Sequence, residues 1–178
     1  MYDLAATTTI EMGSGPTYGR HEPDFYPGRI VWYDYDRTMA DNSDVYLLDY
    51  GAGVQGYVSP RVNYQDMPRI YNNAMVWIEQ QGTDKALYVY WIPGAEEWQI
   101  YKTDGQFIND FAIYGGYVVY SVGDCLHGVP CDFYVKLYDI STEKTTEVAH
   151  MTGSAITDLD IYGTKVVYLA GPYEDYTP

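Results

Sequence analysis

The chain has 178 residues, room for one domain of ordinary size and too few for most two-domain enzymes. Its 25 Asp and Glu against 10 Lys and Arg leave a net charge of −15, a field that repels phosphate backbones and anionic lipid headgroups and so argues against nucleic acid or membrane adsorption. Apolar residues make up 47%, which rules out disorder, and Tyr supplies 22 aromatics beside 4 Trp and 4 Phe, a bias that suits strands over helices.

Tyr2-Asp3-Leu4 and Thr9-Ile10-Glu11-Met12 open the chain as two short strands, because the same pattern returns 136 residues on as Tyr138-Asp139-Ile140 and Thr145-Thr146-Glu147-Val148. A hairpin follows at Phe25-Tyr26-Pro27-Gly28-Arg29-Ile30-Val31-Trp32. It recurs without gaps at Ile70 to Trp77, Ile113 to Tyr120 and Ile161 to Tyr168, in steps of 45, 43 and 48 residues. Each copy reads apolar, Tyr, two turn formers, any residue, two apolar residues, then Trp or Tyr. Pro-Gly, Asn-Asn, Gly-Gly and Gly-Thr supply the tight-turn chemistry. Third strands are expected at 44–50, 87–92 and 133–140, and fourth strands at 56–59, 98–102 and 145–150. Strand two is apolar without alternation, as expected of a strand buried on both faces. No apolar run approaches the ~18–20 residues of a helical membrane span. Met1 to Met12 lacks the basic start and apolar core of a signal peptide, which a mature segment would in any case have shed.

Four short strands in each period of about 45 residues mark a propeller blade. The predicted fold is therefore all-β, a β-propeller of about four four-stranded blades, one blade split between the N- and C-termini. Residues 1–22 supply strands three and four of the split blade, 23–67, 68–110 and 111–157 supply whole blades, and 158–178 supply strands one and two. The halves of the split blade can pair within one chain, pair between two chains as an eight-bladed ring, or belong to a longer array. A two-sheet sandwich would also give short strands, but does not call for an ungapped repeat.

The run Ile30 to Arg37 leading to Asp44-Val45-Tyr46-Leu47-Leu48-Asp49, and the later Phe133 to Thr142, resemble the TolB-like, WD40-like repeats of β-propellers. The form with Ile-Tyr-Gly before the hairpin resembles repeats in secreted and surface-layer proteins of archaea. The second repeat departs, with Trp91 where Asp49 and Asp139 stand. The resemblance implies a binding or structural module, often one domain of a larger extracellular protein, and brings no catalytic residue with it.

Cys125 and Cys131 flank a loop between strands two and three, where a disulfide across the hairpin base is expected; such a bridge persists in oxidising compartments and places the chain outside the cell or at its surface. Asp34, Asp36, Asp41 and Asp44 concentrate hard oxygen donors in one loop, a candidate calcium site whose spacing fits no EF-hand; an acidic solvated loop is the plainer reading. No other cofactor is expected. Tyr33, Tyr35, Tyr64, Trp91 and Trp98 at strand ends are candidate contacts for a protein or a sugar, although most of the tyrosines must pack between blades. The strand-two-to-three loops and the inter-blade connections share one face and are expected to be its long loops. His21, His127 and His150 have no nucleophile context. The expected role is non-enzymatic: a protein-interaction or assembly module, with self-association through the split blade. Carbohydrate binding by loop aromatics, with calcium, is the second reading, and a polysaccharide-acting enzyme in the axial mouth the third.

Overall fold

The computed structural model describes residues 2–3, 8–9, 18–36, 43–125 and 131–172. After β1 (Tyr2–Asp3) and β2 (Thr8–Thr9), the first blade is β3 (Tyr18–Tyr26), β4 (Arg29–Asp36), β5 (Ser43–Asp49) and β6 (Val54–Tyr57). The second is β7 (Gln65–Tyr71), β8 (Ala74–Gln81), β9 (Asp84–Trp91) and β10 (Glu96–Lys102). The third is β11 (Phe107–Tyr114), β12 (Tyr117–Asp124), β13 (Asp132–Asp139) and β14 (Lys144–Thr152). Finally β15 (Ser154–Tyr162) and β16 (Lys165–Pro172) form half a blade. Each sheet is an antiparallel meander in chain order, and the first strands β3, β7, β11 and β15 lie side by side along a common axis.

The turn formers of the repeat do what their chemistry allows. Gly28, Asn72, Gly115 and Gly163 all take left-handed backbone at the hairpin tips, with φ of 85°, 54°, 59° and 61°, the region Gly and Asn enter most cheaply. The aspartates at the end of strand three serve the next turn: Asp49 Oδ1 accepts the Ala52 amide at 2.9 Å and Asp139 Oδ1 the Ser141 amide at 2.8 Å. Trp91 cannot do this. There the chain turns through a 3-10 segment at Ile92–Gly94, with Ala95 left-handed at φ 49°.

Packing explains the unbroken apolar second strands. From β8, Met75 and Trp77 point into the layer shared with Val31, Val45 and Leu47 of the first blade. Val76 and Ile78 point the other way, onto Ile108, Val118 and Tyr120 of the third. A strand sandwiched between two sheets needs apolar residues at both parities. Between the third blade and the half-blade, Val119, Phe133 and Val135 meet Ile156, Leu159 and Ile161. The repeated tyrosine forms a ladder beside the axis: Tyr26 to Tyr71 is 4.9 Å between ring centroids, Tyr71 to Tyr114 is 4.4 Å, and Tyr114 to Tyr162 is 4.8 Å.

Among the described residues β1 and β2 form a separate two-stranded sheet and pair with neither β15 nor β16, so the sheets do not close into a ring there. Large side chains such as Trp77, Phe111 and Tyr120 fill the layers between sheets. The second blade also lacks a long strand-two-to-three loop, because β8 and β9 are joined by the tight turn at Gly82 and Thr83.

Candidate functional site

The strand-two-to-three connections and the inter-blade connections emerge on one face, and there the first two blades carry an aromatic cluster. His21 stacks on Tyr33 with centroids 5.3 Å apart and planes 22° apart, and Tyr64 lies 6.3 Å from both Tyr33 and Tyr35. His21 lies in β3, Tyr33 and Tyr35 lie in β4, and the connection into β7 holds Tyr64. Burial, Tyr64 and the negative Glu22 and Asp66 push the Tyr33 hydroxyl up to about 12, so the phenol remains a hydrogen-bond donor at neutral pH. Asp66 is pushed up to about 6 by burial, and by Glu22, against the opposing charge of Lys85.

A polar clamp beneath the cluster fixes the connection that carries Tyr64. Glu79 is wholly buried, and its carboxylate accepts from Arg61 at 3.0 Å, Asn63 at 2.8 Å and Gln65 at 3.3 Å. Arg61 also pairs with Glu97, lies 4.9 Å over the Tyr88 ring, and its amide donates to Asp44 at 3.1 Å. The Tyr64 carbonyl accepts the Gln80 amide at 2.8 Å. A buried carboxylate is tolerated only with such a full set of donors.

The candidate cation loop is occupied differently. Asp34 is buried and accepts from Trp32 Nε1 at 2.7 Å, with Arg20 at 3.4 Å. Asp44 is pushed up by burial against the pull of the Arg61 amide. Asp41 lies outside the described residues, as does the side chain of Asp36. Among the described residues no group of three or more His, Cys, Asp or Glu side chains is placed to hold a metal ion. Cys125 and Cys131 are joined by a disulfide, with Cα atoms 4.3 Å apart, which closes the base of the β12–β13 connection; His127 lies outside the described residues.

The remaining aromatics lie elsewhere. Trp91 ends β9 on the opposite face, and Trp98 sits within β10, donating to the Tyr138 hydroxyl at 2.8 Å as part of the layer between the second and third blades.

The axial mouth is a cleft of about 420 Å³ lined by the first strands, with Asp24, Arg69, Asp110 and Asp160 as its charged groups. Its acids serve the backbone. Asp24 Oδ2 accepts the Ile70 amide at 2.8 Å, linking blade one to blade two. Asp110 Oδ2 accepts the Leu159 amide at 2.7 Å, linking blade three to the half-blade. Asp160 Oδ1 accepts the Ile161 amide at 2.8 Å. A bulge interrupts each first strand, and Asp24 and Asp110 follow theirs directly, as expected of a device that re-aims a side chain.

Sequence reasoning brought Tyr33, Tyr35 and Tyr64 to the same surface but missed His21, Glu22, Asp66 and the clamp. Glu79 at the end of the apolar run Met75-Val76-Trp77-Ile78 was the available signal, since a charge in a two-sided buried strand needs a partner.

No protein-family model and no curated protein matches this sequence. Solved structures do match in shape. An oligogalacturonate lyase in complex with manganese superposes with a TM-score of 0.69 at 13% identity, over 89% of this chain and 49% of its own. The β-propeller domain of the Trilobed protease from Pyrococcus furiosus gives 0.61 at 10% identity, over 92% and 56%. TolB from Acinetobacter baumannii gives 0.55 at 11% identity, over 83% and 40%. The chain thus spans about half the length of these propellers, and at such identities the likeness speaks for the fold alone.

Proposed function

We propose that this TolB-like β-propeller is a non-enzymatic interaction module of a secreted or cell-surface protein, of the archaeal surface-layer type that its repeats resemble. The observation that carries the reading is the cluster of His21, Tyr33, Tyr35 and Tyr64, carried by β3, β4 and the connection that the Arg61–Glu79 clamp fixes. Rigid aromatic rings with polar tips give large contact area at little entropic cost, the property that enriches Tyr in binding surfaces. The acids of the axial mouth support a non-catalytic role, because Asp24 and Asp110 are engaged in holding neighbouring strands. The Cys125–Cys131 bridge supports an oxidising location.

A second reading, carbohydrate binding, draws on the stacked His21–Tyr33 pair as a platform for a sugar ring, with calcium bound near Asp34, Asp36, Asp41 and Asp44. One experiment separates these. Immobilised wild type and the Y33A/Y64A variant are probed with a displayed peptide library and a glycan array, with and without chelator, while acidic polysaccharides are assayed for cleavage. Peptide binding lost in the variant supports the interaction module, and chelator-sensitive glycan binding supports the second reading. Polysaccharide turnover would overturn both.

A further inference from the structure

The aromatic cluster of the first two blades lies at a seam inside the array. Tyr33 and Tyr35 share the parity of Val31, which packs with Met75 and Trp77 of the second blade, and Tyr64 leads into β7. Tyr64 is tilted by 57° against Tyr33 and by 62° against Tyr35. The three rings thus turn their faces in more than one direction, an arrangement that receives a side-chain cation. An acid stands beside them. The bulge between His21 and Asp24 leaves Glu22 out of the β3–β4 pairing; it is exposed, makes no ion pair among the described residues, and its charge reaches the Tyr33 hydroxyl. Arg61 beneath is already shared between Glu79 and Glu97. Among the described residues no cation lies over Tyr33, Tyr35 or Tyr64.

We propose that the cluster binds an arginine side chain from a basic peptide segment of the partner, with the guanidinium over the tyrosine rings and Glu22 as its counter-charge. This rests on the interaction-module reading and names the chemistry of its partner. Elsewhere the fold assembles the same three parts from its own residues. The Arg61 guanidinium lies 4.9 Å over the Tyr88 ring with Glu79 at 3.0 Å, and that of Arg20 lies 5.9 Å over the Trp32 ring with Asp34 at 3.4 Å. In both, an aromatic face and a carboxylate hold one guanidinium, which stacks on rings and forks onto carboxylates as an ammonium does not. At the cluster the rings and the acid are present, and the partner brings the cation. The net charge of −15 acts in the same sense, drawing basic segments towards the face and turning acidic ones away.

The test is fluorescence anisotropy in about 0.15 M salt, where exposed charges more than about 8 Å apart are largely screened. The probes are labelled peptides of equal length that alternate glycine with arginine, lysine or glutamine. The arginine peptide is expected to bind the wild type more tightly than the lysine peptide, and the glutamine peptide about tenfold or more weakly than either. Y35A and Y64A should each weaken the arginine peptide about threefold or more, while Y64F, which keeps the ring, should stay within about twofold of wild type. E22Q should weaken it about twofold or more. E147Q, which removes an exposed acid of β14 in the third blade, makes the same change in net charge and should leave binding unaltered. Arginine-peptide binding that ignores Y35A and Y64A, or that falls equally in E22Q and E147Q, belongs to the field of the whole chain and overturns the proposal. Failure of the arginine peptide to bind overturns it too. A glutamine peptide that binds as well as the arginine one and is lost in Y64A overturns the choice of cation but upholds the interaction module, so the two failures are told apart.

Discussion

Replacing Arg61 by Met should be among the most costly single changes in the molecule. The substitution keeps the aliphatic stem but leaves Glu79, which has no solvent exposure, without its cation. Breaking a buried ion pair by removing one partner costs about 3–5 kcal/mol. The Arg61 side chain is one-third exposed, and Asn63, Gln65 and Gln81 still donate to the carboxylate, which moves the expected loss to the lower end, about 3 kcal/mol. With a urea dependence of about 1–3 kcal/mol per molar, the midpoint should fall by roughly 1–3 M. Unfolding can be followed by tryptophan fluorescence, since Trp77 is wholly buried and lies 5.8 Å from the Tyr88 ring over which Arg61 rests. Removing the stranded charge as well, in R61M/E79Q, should recover more than about 1 kcal/mol relative to R61M alone. A loss below about 1 kcal/mol, or a double variant as unstable as the sum of its parts, would refute the clamp as a buried charge network.

Three further outcomes follow from named contacts. The folded-state pKa of Asp66, about 6, lies above its ordinary 3.8, so the folded protein binds the proton more tightly and wild-type stability should decline as pH rises between those values. D66N should remove that decline, matching wild type below pH 3.8 and exceeding it above pH 6 in thermal melts; a gap independent of pH would contradict this. D110A strands the buried Leu159 amide at the blade-three latch and should cost about 1–3 kcal/mol in urea unfolding, while D110N, which keeps an acceptor oxygen, should lose less. Reducing the Cys125–Cys131 bridge, which closes a loop with a sequence separation of 6, should cost about 2 kcal/mol in the chain-entropy view. C125S/C131S should sit at that lower stability and ignore reductant.

The architecture was legible because it is periodic. An ungapped motif with tyrosine at a fixed place predicts a ladder once the copies are stacked, and Tyr26, Tyr71, Tyr114 and Tyr162 form one. Apolar residues at both parities in Met75 to Ile78 announced a strand with sheets on either side. The closure of the ring was not legible, because sequence complementarity between 1–12 and 158–168 says that two half-blades fit and not which chain supplies each. The candidate surface was half legible. Tyr33, Tyr35 and Tyr64 could be placed on one face by strand ends, but Trp98 looked equally available and is spent on Tyr138 across a blade boundary. Asp34, one of the four acids of the candidate calcium loop, accepts from Trp32 and lies beside Arg20. Such side-chain pairings join residues with no fixed spacing, so no local pattern encodes them. The bulge that aims Asp24 and Asp110 shows in the sequence only as a break in alternation, such as the three-residue step from Ile108 to Phe111, and a single such step does not say which side chain it re-aims.

Residue-resolved hydrogen exchange tests the stacked-blade architecture most directly. The slowest amides should fall in the central strands β4, β8 and β12, at windows near 30–33, 75–78 and 118–121 that repeat with the 45- and 43-residue steps of the motif. The amides of Ile70 and Leu159 should be protected by aspartates from the preceding blades. Protection without that period, or fast exchange at both latched amides, would contradict the account.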